Sequence, residues 1–290
     1  MTEQELAQLR VQKWRLDRRP VRTLEAAREF IDAVGFCLLY PERPPVLLPT
    51  FMGAWVGEDD RLPTSQHAFA DPRTQPAIDL MVRLLREKSA FEANLFSENV
   101  FLVSAAVFPF FYGLVGDRNP RQVPKPGARF RYSPLARDLF EVLRQHGASN
   151  KGWLRDALGS GSSPQALDRA LGELWSQLRI TRVDYRPGEG AYWDALYRWA
   201  PEAVRQGIEL SVPEALTALI SKYLDCVIAA ETSEVVEFFS HLVSRSKVKE
   251  AINALLSARE LSFTVVGNAS SIQVAPPRVA PARNRERGRG

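Results

Sequence analysis

A short run of acidic residues is the first place where this sequence could do chemistry. Glu58, Asp59 and Asp60 follow the stretch GAWVG, and His67 comes soon after them. Carboxylates and imidazoles within hydrogen-bonding reach of a substrate act as general acids and bases. Solvated loop acids explain the same run more simply, so this stretch alone assigns no reaction.

The cysteines and histidines form no metal-binding or disulfide pattern. Cys37 and Cys226 are far apart, and the histidines are scattered at positions 67, 146 and 241. Zinc sites and disulfide frameworks need closely spaced ligands or paired cysteines. We therefore predict no metal, no cofactor and a reducing interior.

Cationic and amide side chains indicate a second kind of chemistry, the binding of nucleic acid. Arg and Lys neutralise phosphates, while Gln and Asn can pair with the edge of an adenine. The stretch 118–137 has basic residues and no acid, as expected of a solvated linker or of a phosphate-contacting seam. The predicted DNA-binding residues are Gln165, Arg169, Arg182, Arg186, Arg245, Lys247, Lys249, Asn253, Arg129 and Arg131.

The elements that must position these residues follow one order in 133–199. Ser133-Pro134 begins a first helix, a short helix follows at about 151–158, and Ser163-Pro164 begins a third. The alternating stretch ITRVDY, a Pro-Gly turn and AYWDALYRW then predict two strands. Three helices followed by a hairpin are typical of a winged helix-turn-helix, whose third helix enters the major groove and whose wing reaches a phosphate or the minor groove.

The same pattern recurs at 212–275. Helices are expected at 212–227, 232–243 and 244–260, and Gly267-Asn268 marks a hairpin turn between two short strands. Two copies of one architecture are a stronger signal than either alone. The predicted fold class is therefore mainly α with small β-hairpins (α+β), in tandem winged helix-turn-helix domains.

The remaining patterns complete the domain organisation. Helices are expected at 23–34 and about 75–88, and the apolar run 100–116 is predicted to be buried core because it is too short to span a bilayer. The predicted domains are an N-terminal domain at 1–117, a basic Pro-rich linker at 118–132, a central winged helix at 133–210, a C-terminal winged helix at 211–275 and a disordered basic tail at 276–290.

Composition agrees with a globular protein of more than one domain. Apolar residues make up 45% and charged residues 25% of the 290, and the net charge of +4 is too small to name a partner. The polar N-terminus has no apolar core of a signal peptide. We expect a cytoplasmic, nucleoid-associated monomer without membrane contact.

Three segments together resemble a known family. RRPVRTLEAAREFIDAVGFCLLYP, then SAAVFPFFYGL, then YSPLARDLFEVLRQHG with ALDRALGELWSQLRITRV, occur in an order similar to that of the tandem winged-helix DNA-binding proteins related to AlkZ and YcaQ. The resemblance spans roughly 18–275. It implies a protein of three winged helices whose first copy is degenerate, with a role in DNA repair.

The resemblance also implies an activity, from which this sequence departs. AlkZ-type members are DNA glycosylases that remove bulky alkylated bases and unhook crosslinks, with a Gln-apolar-Gln or Gln-apolar-Asp signature. Such polar groups position water and stabilise positive charge on the sugar. Neither motif occurs in this chain, and the corresponding positions fall near Leu38 and Tyr40. No catalytic residue is carried over, although Glu42 or the acids at 58–60 are alternative candidates.

Three hypotheses therefore stay open. The favoured one is a double-stranded DNA-binding protein that lacks the glycosylase motif. The second is a divergent DNA glycosylase with a rebuilt active site, which requires a polar group able to reach a flipped nucleotide beside 35–42. The third is a protein-interaction scaffold built from winged helices.

Overall fold

Small antiparallel sheets surrounded by helices make up the computed structural model of this chain. The described residues are 1–42, 46–58, 62, 72–96, 99–124, 132–159 and 163–276. Arg129 and Arg131 therefore lie outside the described residues, as do Asp59, Asp60, His67 and nearly all of the basic tail.

The first part of the chain folds around one sheet. Its elements are α1 (Glu3–Lys13), α2 (Leu24–Val34), β1 (Phe36–Leu38), α3 (Phe51–Val56), α4 (Gln75–Arg86), β2 (Ala90–Phe96), β3 (Asn99–Ser104) and α5 (Phe108–Val115). The strands are antiparallel in the order β1-β3-β2. Helix α2 begins where Thr23 accepts a hydrogen bond from the Ala26 amide, as the sequence predicts. The apolar run 100–116 is the largely buried β3–α5 segment.

The central part contains the predicted order of three helices and a hairpin. Its elements are α6 (Pro134–His146), β4 (Ser149–Asn150), α7 (Lys151–Ala157), α8 (Pro164–Trp175), β5 (Ile180–Arg186), β6 (Gly190–Ala195), α9 (Leu196–Trp199) and α10 (Pro201–Glu209). Ser133 and Ser163 cap the starts of α6 and α8. Strand β4 extends the hairpin to a sheet in the order β4-β6-β5, an extra strand that the sequence pattern did not predict.

The C-terminal part repeats the three helices and the hairpin. Its elements are α11 (Val212–Val227), α12 (Thr232–Ser240), α13 (Arg245–Ser257), β7 (Leu261–Val266) and β8 (Ala269–Val274). Ser211 and Glu214 form a capping box at the start of α11. Gly267, in the left-handed region at φ +56°, makes the turn between β7 and β8. The mainly helical α+β class is thus as predicted.

Helix α5 joins the first and C-terminal parts into one continuous core. It is apolar on nearly every side and packs against α10 and α11. A Cβ atom on Gly207 would lie only 2.8 Å from the Pro109 carbonyl oxygen, so glycine permits this close approach. The central part has its own buried cluster, formed by α6, α7, α8 and the hairpin.

The N-terminal helix α1 packs on the C-terminal part of the chain. The Arg10 guanidinium donates to the carbonyls of Val227 and Ala229, and the Trp14 indole donates to that of Cys226. Lys13 forms an ion pair of 2.7 Å with Asp225. Residues 226–229 include the C-terminal end of α11, so α1 supplies donors to carbonyls that the helix itself leaves unpaired.

Two arginines hold the start of the predicted linker in place. Arg179 has no exposed side-chain surface; it pairs with Asp117 at 2.5 Å and donates to the carbonyls of Asn119 and Gln122. Arg118 donates to the carbonyls of Gly207, Ile208 and Leu210 at the end of α10. Arg118, which belongs to the basic stretch 118–137, thus uses its donors to complete a helix terminus.

Replacing Arg179 by methionine should destabilise the fold while preserving much of the side-chain volume. Asp117 and two carbonyls are left without their donors, and the free energy of unfolding should fall by about 3 kcal/mol. Urea denaturation followed by circular dichroism measures this change. The control, Arg205→Met, removes an exposed guanidinium that pairs with Glu202 and should change stability little. Equal denaturation midpoints for the two variants would contradict the role of Arg179.

Candidate functional site

The outward face of α8 carries predicted DNA-binding residues of the central part. Gln165 and Arg169 are exposed, while Leu167, Leu171 and Leu174 pack inward. Asp168 lies on the same exposed face but pairs with Lys151 of α7 at 2.5 Å. Arg169 has no ion pair within the described part of the chain, so its charge is available to an external anion.

Helix α13 carries the matching set in the C-terminal part. Lys247, Lys249 and Asn253 are exposed, and neither lysine forms an ion pair with any residue that the structure describes. Arg245 is also exposed, but its guanidinium pairs with Glu237 of α12. The two lysines are therefore the free cations of this helix.

Arg186 lies exposed at the tip of the central hairpin. Its Nε donates to Asp184 at 3.2 Å, and its guanidinium lies 4.1 Å from the centre of the Tyr192 ring. The hydrogen bond to Asp184 raises the pKa of Arg186. These contacts orient the side chain, while Asp184 offsets part of its charge.

The assignment of Arg182 to a DNA-contacting wing is wrong. Its guanidinium lies over Trp175 and Trp193, at 4.1 and 5.0 Å from the ring centres. Alternation along ITRVDY would point this residue outward, but the register of the hairpin shifts between Arg182 and Asp184. Strand β5 also packs on β2 of the first part, which covers the face that a free wing would expose.

Arg182 instead faces a fully buried acid, Glu92. The Arg182 Nη1 lies 3.5 Å from a Glu92 carboxylate oxygen and donates to the Tyr185 hydroxyl at 2.6 Å. The Tyr185 hydroxyl in turn donates to the Glu92 carboxylate at 2.9 Å. The Glu92 main-chain carbonyl also accepts from Thr181 and from the Trp175 indole. We call Glu92, Arg182 and Tyr185, with the two tryptophans, the seam cluster.

Burial controls the ionisation of the seam cluster. It raises the pKa of the Glu92 carboxyl, and the opposing effects of Arg182 and Tyr185 are smaller. Burial together with the nearby Glu92 also raises the pKa of Tyr185. The tyrosine therefore remains a neutral donor, and the carboxyl holds its proton to a higher pH than an exposed glutamate.

The positions where the resemblance places a catalytic pair adjoin this cluster. Leu38 and Tyr40 are 2% and 5% exposed. Leu38 pairs with Phe101 of β3. Burial, with a contribution from Glu92, raises the pKa of Tyr40, and Arg182 opposes the shift. The surroundings of Tyr40 are thus polar rather than purely apolar.

Of the other acids considered as catalytic groups, Glu58 and Glu42 are among the described residues, and Asp59 and Asp60 are not. Glu58 is half exposed and lies 3.4 Å from Arg73. Glu42 is only partly buried. Among the described residues, no cluster of His, Cys, Asp and Glu could hold a metal ion, and no helix is both long and apolar enough to cross a bilayer.

Sequence reasoning missed Glu92, although one signal was present. A single acid stands among apolar residues in AFEANLF, which forms β2. Charged residues are almost never fully buried unless they are paired. An acid in a buried strand therefore predicts a partner, but the sequence could not identify Arg182 or Tyr185 as that partner.

Comparisons with known proteins give a family and a fold. A family model described as DNA glycosylase AlkZ-like matches residues 66–288, so the match begins after the segment 35–42. Among solved structures, the Streptomyces sahachiroi DNA glycosylase AlkZ is similar over 94% of this chain and 70% of that chain, with a TM-score of 0.59 and 12% identity. At this identity the likeness shows the fold alone. No curated protein matches the chain.

The raised pKa of Glu92 predicts a pH-dependent stability. The folded protein holds a proton on Glu92 at pH values where the unfolded chain has released it. The contribution of Glu92 to the free energy of unfolding is therefore fully present below the pKa of the unfolded chain, and it disappears as the pH rises through the folded pKa. The free energy of unfolding of the wild type minus that of Glu92→Gln should fall as the pH rises above the unfolded pKa of glutamate, about 4.3.

Glu141→Gln provides a control of opposite sign for the same titration. Hydrogen bonds from Arg144 and Gln145 lower the pKa of Glu141, so its contribution is present above the unfolded pKa and disappears as the pH falls. Denaturant unfolding across the pH range measures both differences. A difference for Glu92→Gln that stays constant, or rises with pH, would contradict the raised pKa.

Proposed function

Because this chain belongs to the AlkZ-like DNA glycosylase family, we propose that it binds double-stranded DNA through two winged-helix units and acts, as a monomer, in DNA repair. The units comprise residues 133–210 and 211–275, and residues 1–117 form a degenerate first copy. The repeated order of three helices and a hairpin supports this division. In each unit the third helix, α8 or α13, would lie in the major groove.

One observation carries the proposal. Arg169, Lys247 and Lys249 are exposed on the two third helices and have no ion pair within the described residues. A surface cation that already has a carboxylate partner must give it up to bind phosphate. A cation without a carboxylate partner loses only bound water and counterions when it binds phosphate, and the release of counterions from DNA favours the complex. The third helices are thus suited to phosphate contact.

Two amide side chains are the only residues on these helices that we propose to contact base edges. Gln165 and Asn253 are exposed, one on each third helix. An amide can form two hydrogen bonds with adenine, but two such residues distinguish few sequences. We therefore propose mainly phosphate contacts, which position the protein on DNA without specifying sequence.

A second candidate function, a divergent DNA glycosylase, is favoured by the seam cluster. Glu92 lies close enough to Tyr40 to influence its pKa, next to the position where the family's polar pair would fall. In its ionised form, which the neighbouring Arg182 favours, the Glu92 carboxylate could stabilise positive charge developing on the sugar. Glu92 is fully buried, so a flipped nucleotide would reach it only if strands β2 and β5 separated.

Replacing Lys247 and Lys249 by alanine should weaken DNA binding equally for different sequences. The plot of log association constant against log salt concentration should become shallower by about 0.9 for each phosphate that the variant no longer neutralises. Fluorescence anisotropy with two unrelated duplexes at several salt concentrations measures the slope. The control, Arg144→Ala with Arg205→Ala, removes two exposed charges that are paired within their own helices. Equal slopes for both double variants would exclude the lysines as DNA-binding residues.

A single-turnover assay distinguishes the two candidate functions. Excess protein is incubated with a labelled duplex that is undamaged or carries a bulky alkylpurine. The samples are then run on a native gel, or heated in alkali to cleave abasic sites. We expect shifted, uncleaved DNA. Cleavage of the alkylated strand alone, abolished by Glu92→Gln and retained by Glu141→Gln, would instead establish the glycosylase.

A further inference from the structure

A short basic segment connects the first and C-terminal parts of the protein. Residues 15–22 read RLDRRPVR, and we call this segment the arginine strap. Its four arginines and one aspartate give it a net charge of 4 − 1 = +3. None of these arginines was among the residues predicted to bind DNA.

Hydrogen bonds to main-chain carbonyls fix both ends of the arginine strap. Just before it, the Trp14 indole donates to the Cys226 carbonyl at 3.0 Å. Near its other end, the Val21 amide donates to the Ala54 carbonyl of α3 at 2.8 Å. The strap therefore crosses from α11 to α3 at a fixed position.

The backbone of the strap is strained at two arginines. Arg15 and Arg18 have φ values of +59° and +64°. Non-glycine residues avoid this left-handed region, at a cost of about 1–2 kcal/mol each. Such strain persists where surrounding contacts impose it and is often found at functional sites. A Cβ on Gly57 would lie 3.7 Å from the Arg18 Cα, so the strap packs closely against the end of α3.

Two exposed arginines of the strap, Arg19 and Arg22, are held in defined orientations. The Arg22 guanidinium lies 4.5 Å from the centre of the Trp55 ring, and the Trp55 indole is itself held by the Arg73 carbonyl. Asp17 accepts from Arg19 and thereby raises the pKa of that guanidinium. Arg18 is exposed and has no ion pair within the described residues. Fixed guanidinium groups bind phosphate with a smaller cost in side-chain entropy than mobile lysines do.

We propose that the arginine strap binds the phosphate backbone of duplex DNA, with Arg18 and Arg22 as the primary contacting residues and with Arg19 exchanging its Asp17 partner for a phosphate. This proposal rests on the proposed function and adds a contact outside the winged-helix units. The ligand that we propose is a phosphodiester backbone. A guanidinium can form two parallel hydrogen bonds to phosphate oxygens, and three arginines along a short strap can contact successive phosphates. The strap also joins the parts of the chain that contain α3 and α11, so a contact there would couple both to the DNA.

The alternative role of these arginines is structural. Cations near a helix C-terminus interact favourably with its carbonyls, and the strap lies beside the end of α3. A structural role predicts lower thermal stability after substitution, without a change in the salt dependence of DNA binding. Phosphate binding predicts a changed salt slope in variants that remain folded.

The test compares the triple variants Arg18→Ala/Arg19→Ala/Arg22→Ala and Arg18→Lys/Arg19→Lys/Arg22→Lys in the full chain. The alanine variant should have a salt slope that is shallower by up to about 2.7, which is about 0.9 for each phosphate. The lysine variant should keep most of the slope but bind more weakly, because lysine lacks the planar fork. Thermal denaturation shows whether each variant is folded. A folded alanine variant with the wild-type slope overturns the proposal.

Two further outcomes separate this inference from the proposed function. If Lys247→Ala/Lys249→Ala lowers the slope and the strap variant does not, only the strap proposal fails. If the wild-type protein binds no duplex DNA, both fail. A strap variant that no longer binds phosphatidylserine vesicles, with unchanged DNA binding, would assign the strap to a lipid surface and overturn the phosphodiester assignment.

Discussion

The buried carboxyl of Glu92 is the interaction on which the arrangement of the first and central parts depends. An acid without solvent contact is tolerated only where donors surround it, and here Arg182 and Tyr185 of strand β5 supply them. Helix α8 contributes a donor to the Glu92 main-chain carbonyl. Separating β2 from β5 would leave the acid unpaired or require water to enter. The seam cluster therefore fixes where the central hairpin lies and removes Arg182 from the surface. The hairpin presents only its tip, at Arg186, to solvent.

Charge pairing divides the basic residues of this protein into two classes. Arg118, Arg179 and Arg182 complete internal hydrogen bonds, and their charges hold segments of the chain together. Arg169, Lys247 and Lys249 remain exposed on α8 and α13 without carboxylate partners in the described residues. The small net charge of +4 conceals this division, because it counts structural and free cations alike. The proposed DNA contacts follow from which cations are free rather than from how many there are.

The sequence predicted the structural elements that depend on local interactions. Helices such as α8 and α13 follow from a start signal and an apolar stripe, which lie within a dozen residues of one another. Arg182 and Glu92, by contrast, are 90 positions apart, and Arg118 and Leu210 are 92 apart. In sequence, Arg118 and Arg182 are indistinguishable from surface arginines. Their internal contacts depend on which strands and helices pack together, and a one-residue register shift in the hairpin cannot be read from alternation.

The packing of α1 on α11 has a consequence for the order in which the chain is made. The Arg10 guanidinium binds the Val227 carbonyl across 217 positions of sequence. A ribosome therefore releases α1 long before its docking surface exists, and α1 must wait while the intervening chain is synthesised. Contacts between residues that are so far apart in sequence form late and slow the folding of the whole chain. Helix α1 can therefore dock only after α11, one of the last elements, has been synthesised. A stalled or truncated chain that lacks α11 would leave α1 undocked at the N-terminus, in addition to lacking its C-terminal part.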